Sequence, residues 1–445
     1  MTRWLLTLWL LLPSVVLAQP AGLAASIDDA VAPYVEAGDF AGVVAVGQRG
    51  RAPVVRTFGL ASVELGVPHR PDGVFMIGSV SKQVTAAALL LLEEDGALAT
   101  TDALGRHLPG FPHGDVTLAQ LLTHTSGLAD VYALDRFGAT AGQHAAFEDV
   151  VEDLGRAPLA FAPGEGYAYS NGGYSLLAAV IEAASGMPYG AFLHRRLFEP
   201  LGMTQTAEAG PGPAASGRVP GYVPWGRTAV APADPVAPAF LHGSGGLWSS
   251  ARDLVTWAEA LHGGRLLSPD SYAKLTTDYG QGYGFGVSVF TRFDRPTVGH
   301  DGRVAGYASD LAHYPDDEVT VVVLGNVESV VRDRIRRAVA AAVFGGEAAP
   351  YEARAFADGP PARLDAFEGA YAFGPGFVVS VRAEDGRLLA RANEGGSSEL
   401  VPLADDAWFS RMLYATVCFG RDAEGTVDRL IWGCEDGAPV GQRTS

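Results

Sequence analysis

Lysine is nearly missing from this chain of 445 residues: Lys82 and Lys274 are the only two, and every other basic residue is an arginine. Arginine serves solubility, ion pairing and anion binding, but it keeps its proton near neutral pH, whereas a lysine with a depressed pKa can lose it. Any lysine in such a chain is therefore a candidate for a position that needs a neutral amine. Positive charge is scarce overall. The 32 basic residues face 50 acidic ones, a net charge of −18, which argues against nucleic acid and anionic membrane as partners. Cysteine occurs only at Cys418 and Cys434. With Glu424-Gly425 as the turn of a hairpin, Cys418 faces Ile431, so a bridge to Cys434 would need a bulge or a longer loop. The pairing stays open, with two separate core thiols favoured. Histidine and acidic residues nowhere take zinc spacing, no glycine loop matches a phosphate cradle, and no Gly-x-Ser-x-Gly elbow occurs. No metal or organic cofactor is expected.

Long apolar runs are also few. The one at residues 1–20 (MTRWLLTLWLLLPSVVLAQP) carries a single arginine and a plausible cleavage site at Val16-Leu17-Ala18. It reads as a secretory signal, too short for a transmembrane helix, and no membrane span is expected after its removal. The expected location is periplasmic or secreted, which permits disulfides.

What is present begins with Ser79-Val80-Ser81-Lys82 at the mouth of an apolar helix, Gln83 to Leu92, which ends in Glu93-Glu94-Asp95-Gly96 with glycine as C-cap. Residues i and i+3 share a helix face, so Lys82 can activate Ser79. A helix N-terminus disfavours a cation, and burial pushes a lysine towards its neutral form. Ser271-Tyr272-Ala273-Lys274 has the same spacing but ends a short amphipathic helix after Leu267-Ser268-Pro269-Asp270, where a cation is favourable. It reads as plain surface.

Two further clusters complete the candidate site. Tyr169-Ser170-Asn171 precedes a helix over 174–184; in extended chain, residues 169 and 171 project the same way. A phenol passes protons and an amide holds a polar group, although Asn171 would also serve as a cap for that helix. His300-Asp301-Gly302 stands at the start of a strand. Gly302 lets substrate approach the backbone, and Arg303 can supply an amide N–H. His124, in Leu121-Leu122-Thr123-His124, reads as a hydrogen-bonded structural histidine.

The chain is long enough for more than one core. Helix Ser26 to Ala37 and strands at Ala41-Gly47 and Pro53-Gly59 precede a helix-rich middle. Strands return at Gly284-Phe290, Val298 to Leu311 and Val319-Gly325, and a helix over Glu328 to Phe344 closes the domain. This predicts one sheet built from both termini of a domain over 21–345, with a helical insert. The stretch 207–240 reads as a long ordered loop. A Gly/Pro/Ala-rich linker, 346–361, leads to residues 362–445. There six short alternating runs, at 377–381, 388–391, 399–403, 408–412, 416–419 and 429–432, predict an antiparallel sandwich or barrel. The fold class is α+β.

The ordered set Ser79-x-x-Lys82, Tyr169-x-Asn171 and His300-x-Gly302 resembles the three motifs of penicillin-recognising serine hydrolases. The branch is that of class C β-lactamases, D-Ala-D-Ala carboxypeptidases, D-aminopeptidases and related esterases. LLTHTSGL at 121–128, the stretch from Phe161 to Leu193 and GSGGLWSSARDLVTWAEAL at 243–261 fit as well. The resemblance implies an antiparallel sheet flanked by helices, and a lipocalin-like domain at 362–445. It also implies Ser79 as acylated nucleophile, Lys82 and Tyr169 sharing proton transfer, and Asn171 contacting the substrate amide. The oxyanion hole would be the N–H groups of Ser79 and Arg303. β-Lactamases of the branch carry lysine where this chain has His300, largely uncharged at neutral pH; esterases and D-aminopeptidases often show histidine. An exported serine hydrolase is expected, acting on a small ester or on an amide or peptide of a D-amino acid, cell-wall fragments included. A β-lactamase, or a non-catalytic member binding cell-wall peptide or protein, is the alternative.

Overall fold

The computed structural model describes residues 22–444 apart from 141, 144, 210–215, 360–362, 375–376, 393–395, 405 and 436. The expected leader, 1–20, lies outside the described residues. The first domain is built on a six-stranded antiparallel sheet. Its strands are β1 (Gly42–Gln48), β2 (Val54–Phe58), β3 (Ser288–Arg292), β4 (Arg295–Val304), β5 (Tyr307–Tyr314) and β6 (Val319–Gly325), in the order β3-β4-β5-β6-β1-β2. The pairing of β1 with β6, Gly42 opposite Gly325 through Gln48 opposite Val319, joins the two ends of the domain as the sequence pattern suggests.

Strand alternation explains why neither face is wet. Val43 and Ala45 of β1 enter one core with Val322 and Leu324 of β6, whereas Val44 and Val46 enter the other with Val321 and Val323. The second face is covered by α1 (Leu23–Glu36) and α5 (Val331–Phe344). Against the first packs α4 (Ala251–His262), and α2 (Ser81–Glu94) and α3 (Asn171–Ser185) pack on each other in the same core. Helix α2 is apolar from Ala86 to Leu92 and buried along eleven of its residues, as a central helix must be.

Three local expectations change. Gly284 to Val287 is an irregular bend, and β3 starts only at Ser288. Gly286, at φ +69°, lies so close to α2 that an added Cβ would sit 2.5 Å from the Lys82 carbonyl oxygen, so packing against the helix outweighs strand propensity. The 207–240 stretch contains a hairpin, Tyr222–Trp225 paired with Ala229–Pro232. Ser271 is buried and bonds Ser268, while Lys274 is the surface residue expected, its Nζ 2.8 Å from Glu93 Oε2.

The C-terminal domain is a closed barrel of β7 (Gly369–Gly374), β8 (Phe377–Glu384), β9 (Arg387–Ala392), β10 (Ser397–Ala404), β11 (Ala407–Ser410), β12 (Ala415–Arg421), β13 (Val427–Trp432) and β14 (Val440–Arg443). The sequence pattern shows six of these. The two that close the barrel, β7 (GAYAFG) and β14 (VGQR), alternate too weakly to be read, yet Tyr371 and Ala372 pair with Arg443 and Gln442.

Cys418 does face Ile431, but the favoured reading of separate thiols is wrong: Cys418 and Cys434 form a disulfide, with Cα atoms 5.3 Å apart. Gly433 and Cys434 take positive φ beyond the end of β13, and Gly433 still donates to Thr416 O. This bend returns Cys434 to β12.

The barrel is fastened to the first domain by the turn after β11. Arg411, 2% exposed, places Nε 2.8 Å from Asp39 Oδ1 and donates to the carbonyls of Gly38 and Ala229. Met412 O accepts from Val330 N at 2.9 Å. The described part of the expected linker, 346–359, is packed chain: Tyr351 meets Tyr34 edge-on, and Arg354 lies over Phe409 and Tyr414.

Candidate active site

Ser79 sits in a single 3-10 turn, Gly78–Val80, immediately before α2, one step ahead of the helix face expected for it. Two glycines set its position. Gly78 takes φ +50°, and a Cβ there would lie 2.7 Å from Arg303 N; a Cβ on Gly302 would lie 2.1 Å from Ile77 O and 3.0 Å from Ser79 N. The turn therefore rests directly on the backbone of β4, at a distance only glycine permits. Ser309 Oγ, beside Gly302 on the neighbouring strand, donates to Ile77 O at 2.7 Å and adds to the hold on the turn.

The two-residue connection between β4 and β5 makes Val304 and Tyr307 a hydrogen-bonded pair, so Arg303, opposite Ala308, turns its N–H away from β5. Pairing with β3 has ended at Gly299. The amides of Arg303 and Ser79 are thus brought close together on the open edge of β4, the arrangement an oxyanion hole requires.

Lys82 is fully buried in the first turn of α2. Its Nζ lies 3.0 Å from Ser79 Oγ, 2.7 Å from Asn171 Oδ1 and 2.8 Å from the Ser244 carbonyl oxygen. The rings of Tyr169 and Tyr174 flank it at 4.8 and 5.4 Å. Burial lowers its pKa from 10.5 to about 7, against the pull of Asp130 and Asp301. A neutral amine donates to Asn171 and Ser244 and offers its lone pair to the Ser79 hydroxyl.

Asn171 opens α3, with Ser170 as the actual N-cap, accepting from Gly173 N. The Asn171 amide is fixed at both ends. Its Nδ2 donates to Asp130 Oδ2 at 2.9 Å, as its backbone N–H also does, and its Oδ1 turns to Lys82. Asp130 is anchored in turn by Tyr132 N.

Tyr169 exposes 37% of its surface at the cleft rim. Burial of its hydroxyl raises its pKa well above 10, despite a hydrogen bond to Ser79. It is therefore a phenol at neutral pH. His124 lies against it, ring centroids 4.2 Å apart, and accepts from Ser170 N through Nδ1. Burial, then Lys82, holds His124 neutral, the structural role expected of it.

His300 lies within β4 and is likewise neutral: burial lowers its pKa to about 4. Its Nδ1 faces the Asp301 carbonyl at 2.5 Å and its Nε2 the Tyr283 hydroxyl at 2.9 Å. With the proton on Nδ1, Nε2 accepts from Tyr283, and neither nitrogen is a cation for a carboxylate. Arg303 projects from the rim, 42% exposed, with Nε 3.7 Å from Glu328 Oε1.

Ser79, Tyr169, Asn171, His300, Arg303, Tyr132 and Asp301 line a cleft of about 240 Å³. Of the residues named from sequence, Lys82 lies beneath the cleft and Gly302 packs against the turn that carries Ser79. Asp130, Ser244 and Tyr283 were not named. Ser244 acts through its carbonyl, which no side-chain pattern announces, and Asp130 and Tyr283 reach the site only through folding.

The profile of the Beta-lactamase family matches residues 27–345, over two thirds of the chain. This chain belongs to the Beta-lactamase family. As a member it is similar to penicillin-binding protein 4* of Bacillus subtilis strain 168, 31% identical over 418 residues, 86% of this chain and 91% of that protein. It is also similar to the D-aminopeptidase of Gluconobacter oxydans strain 621H, 27% identical over 319 residues. That match covers 70% of this chain and 59% of the D-aminopeptidase. The structure of SurE with D-Leu superposes over 96% of this Beta-lactamase-family chain and all of SurE, at TM-score 0.62 and 27% identity. The family places the chain among serine hydrolases.

Proposed function

We propose that the protein hydrolyses small esters or amides of D-amino acids through an acyl-enzyme on Ser79. One observation carries this: Lys82 Nζ, with a pKa near neutrality, sits 3.0 Å from Ser79 Oγ while Asn171 Oδ1 and Ser244 O hold it in place. Lys82 takes the Ser79 proton as Oγ bonds to the substrate carbonyl carbon. The carbonyl oxygen becomes an oxyanion facing the amides of Ser79 and Arg303. Tyr169, a neutral phenol, gives its proton to the leaving alkoxide or amine as that bond breaks, and is reprotonated from Lys82. Water then attacks the acyl carbon, giving its proton to Lys82, and Ser79 leaves with a proton returned to Oγ.

The D-amino acid class is supported by the kinship with a D-aminopeptidase and by the likeness to SurE bound to D-Leu. A neutral His300, both of its nitrogens engaged, disfavours substrates recognised through a carboxylate. For location, the apolar leader supports export, and the Cys418–Cys434 disulfide fits an oxidising compartment. Intact-mass measurement after a fluorophosphonate probe tests the mechanism: one adduct is expected on the wild type and none on Ser79→Ala. An adduct that persists in the variant removes Ser79 from the reaction. A panel of p-nitrophenyl esters, D- and L-aminoacyl amides and nitrocefin then sorts the substrates.

A further inference from the structure

The cleft around Ser79 has two charged side chains, Asp301 and Arg303. Both project from the exposed side of β4, while His300 and Gly302 turn inward. They are not equally available. Arg303 faces Glu328, which is buried and also accepts from Gly306 N. Asp301 leaves 55% of its side chain open, and its partner Arg332 is only 7% exposed. Arg332, whose Nε bonds Ser309 O, does not line this cleft; it borders a neighbouring cavity of about 590 Å³ that Asp301 and His300 also line. It takes Oδ2 of Asp301, leaving Oδ1 without a side-chain partner among the described residues. Burial opposes ionisation of Asp301, but Arg332 outweighs it and keeps the carboxyl below its ordinary pKa.

The cleft therefore presents a fixed negative charge beside a neutral histidine. A substrate with a carboxylate at that point meets repulsion, and a substrate with an ammonium meets a charge-assisted hydrogen bond. We infer that Asp301 is a specificity residue that holds the free α-ammonium of an N-unblocked D-aminoacyl substrate. The inference rests on the acyl-enzyme reading of Ser79.

Benzyl esters of D-alanine, N-acetyl-D-alanine and N-succinyl-D-alanine present a cationic, a neutral and an anionic group on one scaffold. Their kcat/KM values at pH 7 are compared in wild type, Asp301→Asn and Asp301→Glu, with thermal unfolding and fluorophosphonate labelling of each protein. The wild type should prefer the free amine, and Asp301→Asn should lower kcat/KM for it roughly 10–100-fold, the size expected for a hydrogen bond to a charged group. The acetylated ester should stay within about threefold, the succinylated ester should improve, and Asp301→Glu should recover part of the loss. Equal losses on the free and acetylated esters would mean that Asp301 is only structural, and an unchanged free-amine value would remove it from recognition; either overturns the inference. Labelling at Ser79 with no charge preference in the wild type rejects the role of Asp301 alone, whereas absence of labelling rejects the acyl-enzyme reading with it.

Discussion

If Lys82 is the base, acylation of Ser79 follows the titration of one buried amine. Its pKa falls from 10.5 to about 7, equivalent to about 5 kcal/mol against the ammonium at 1.36 kcal/mol per unit. The sign is fixed by the role. The amine must be free, so the rate rises with pH, reaches half its plateau near pH 7, and falls to about 1% of the plateau at pH 5. Second-order labelling by a fluorophosphonate across pH 5–9 measures this directly, because the probe does not titrate there. Lys82→Arg should lose roughly 10²–10⁴-fold against the wild-type plateau, the usual contribution of a general base, and show no rise near pH 7, since a guanidinium stays protonated. Circular dichroism and thermal unfolding of the variant separate loss of the base from loss of the fold. A flat profile in the wild type, or a Lys82→Arg rate within threefold of it, refutes the reasoning. A rate still climbing without a plateau at pH 9 would instead assign the base to Tyr169, whose pKa lies well above 10.

Other consequences can be measured separately. Gly302→Ala forces a methyl into the 2.1 Å gap before Ile77 O and should lower kcat about 10²-fold, comparable to losing an oxyanion donor; steady-state kinetics check it, with KM near its original value. Arg411→Met leaves Asp39 buried without its partner and should cost about 3–5 kcal/mol in urea unfolding. Reducing the Cys418–Cys434 bridge, which closes a loop of 16 residues, should destabilise the barrel by about 3 kcal/mol in the same assay and leave Ser79 labelling intact under native conditions.

The three motif clusters were legible because each groups chemically distinctive residues within a few positions, and in this chain lysine and asparagine are rare. The sheet was legible because β1 and β6 are continuous apolar runs, the mark of strands buried on both faces. What failed shares a different cause. Barrel strands β7 and β14 gain their place from closure, not from their own alternation. Register for Cys418 was right, but it left the pairing open and leaned towards separate thiols, because the decisive event is a pair of positive φ angles after the strand. Asp130 and Ser244 serve the site by holding Asn171 and Lys82, and such support depends on tertiary position alone.

Burial does more to Lys82 than prepare a base. Before the reaction no group lining the cleft on the Ser79 side carries an unpaired positive charge: His300 and His124 are neutral, Tyr169 is a phenol, Asp301 is an anion tied to Arg332, and Lys82 is near half-ionised at pH 7. Arg303 is engaged at the rim by Glu328. The positive charge that meets the forming oxyanion must therefore be made during the step. In the proposed mechanism it is made when Lys82 takes the Ser79 proton, 3.0 Å from Oγ, in surroundings where Coulomb attraction is weakly screened. An ammonium has three N–H bonds, and Nζ already faces three acceptors, Ser79 Oγ, Asn171 Oδ1 and Ser244 O. The site is thus arranged for the protonated lysine of the intermediate while burial disfavours that ion at rest. The opposition of these two effects sets the pKa near 7, which lets one amine both remove the proton and hold it. Any substitution that solvates Lys82 should then slow acylation even though it eases protonation, because it weakens the charge pair that the step creates.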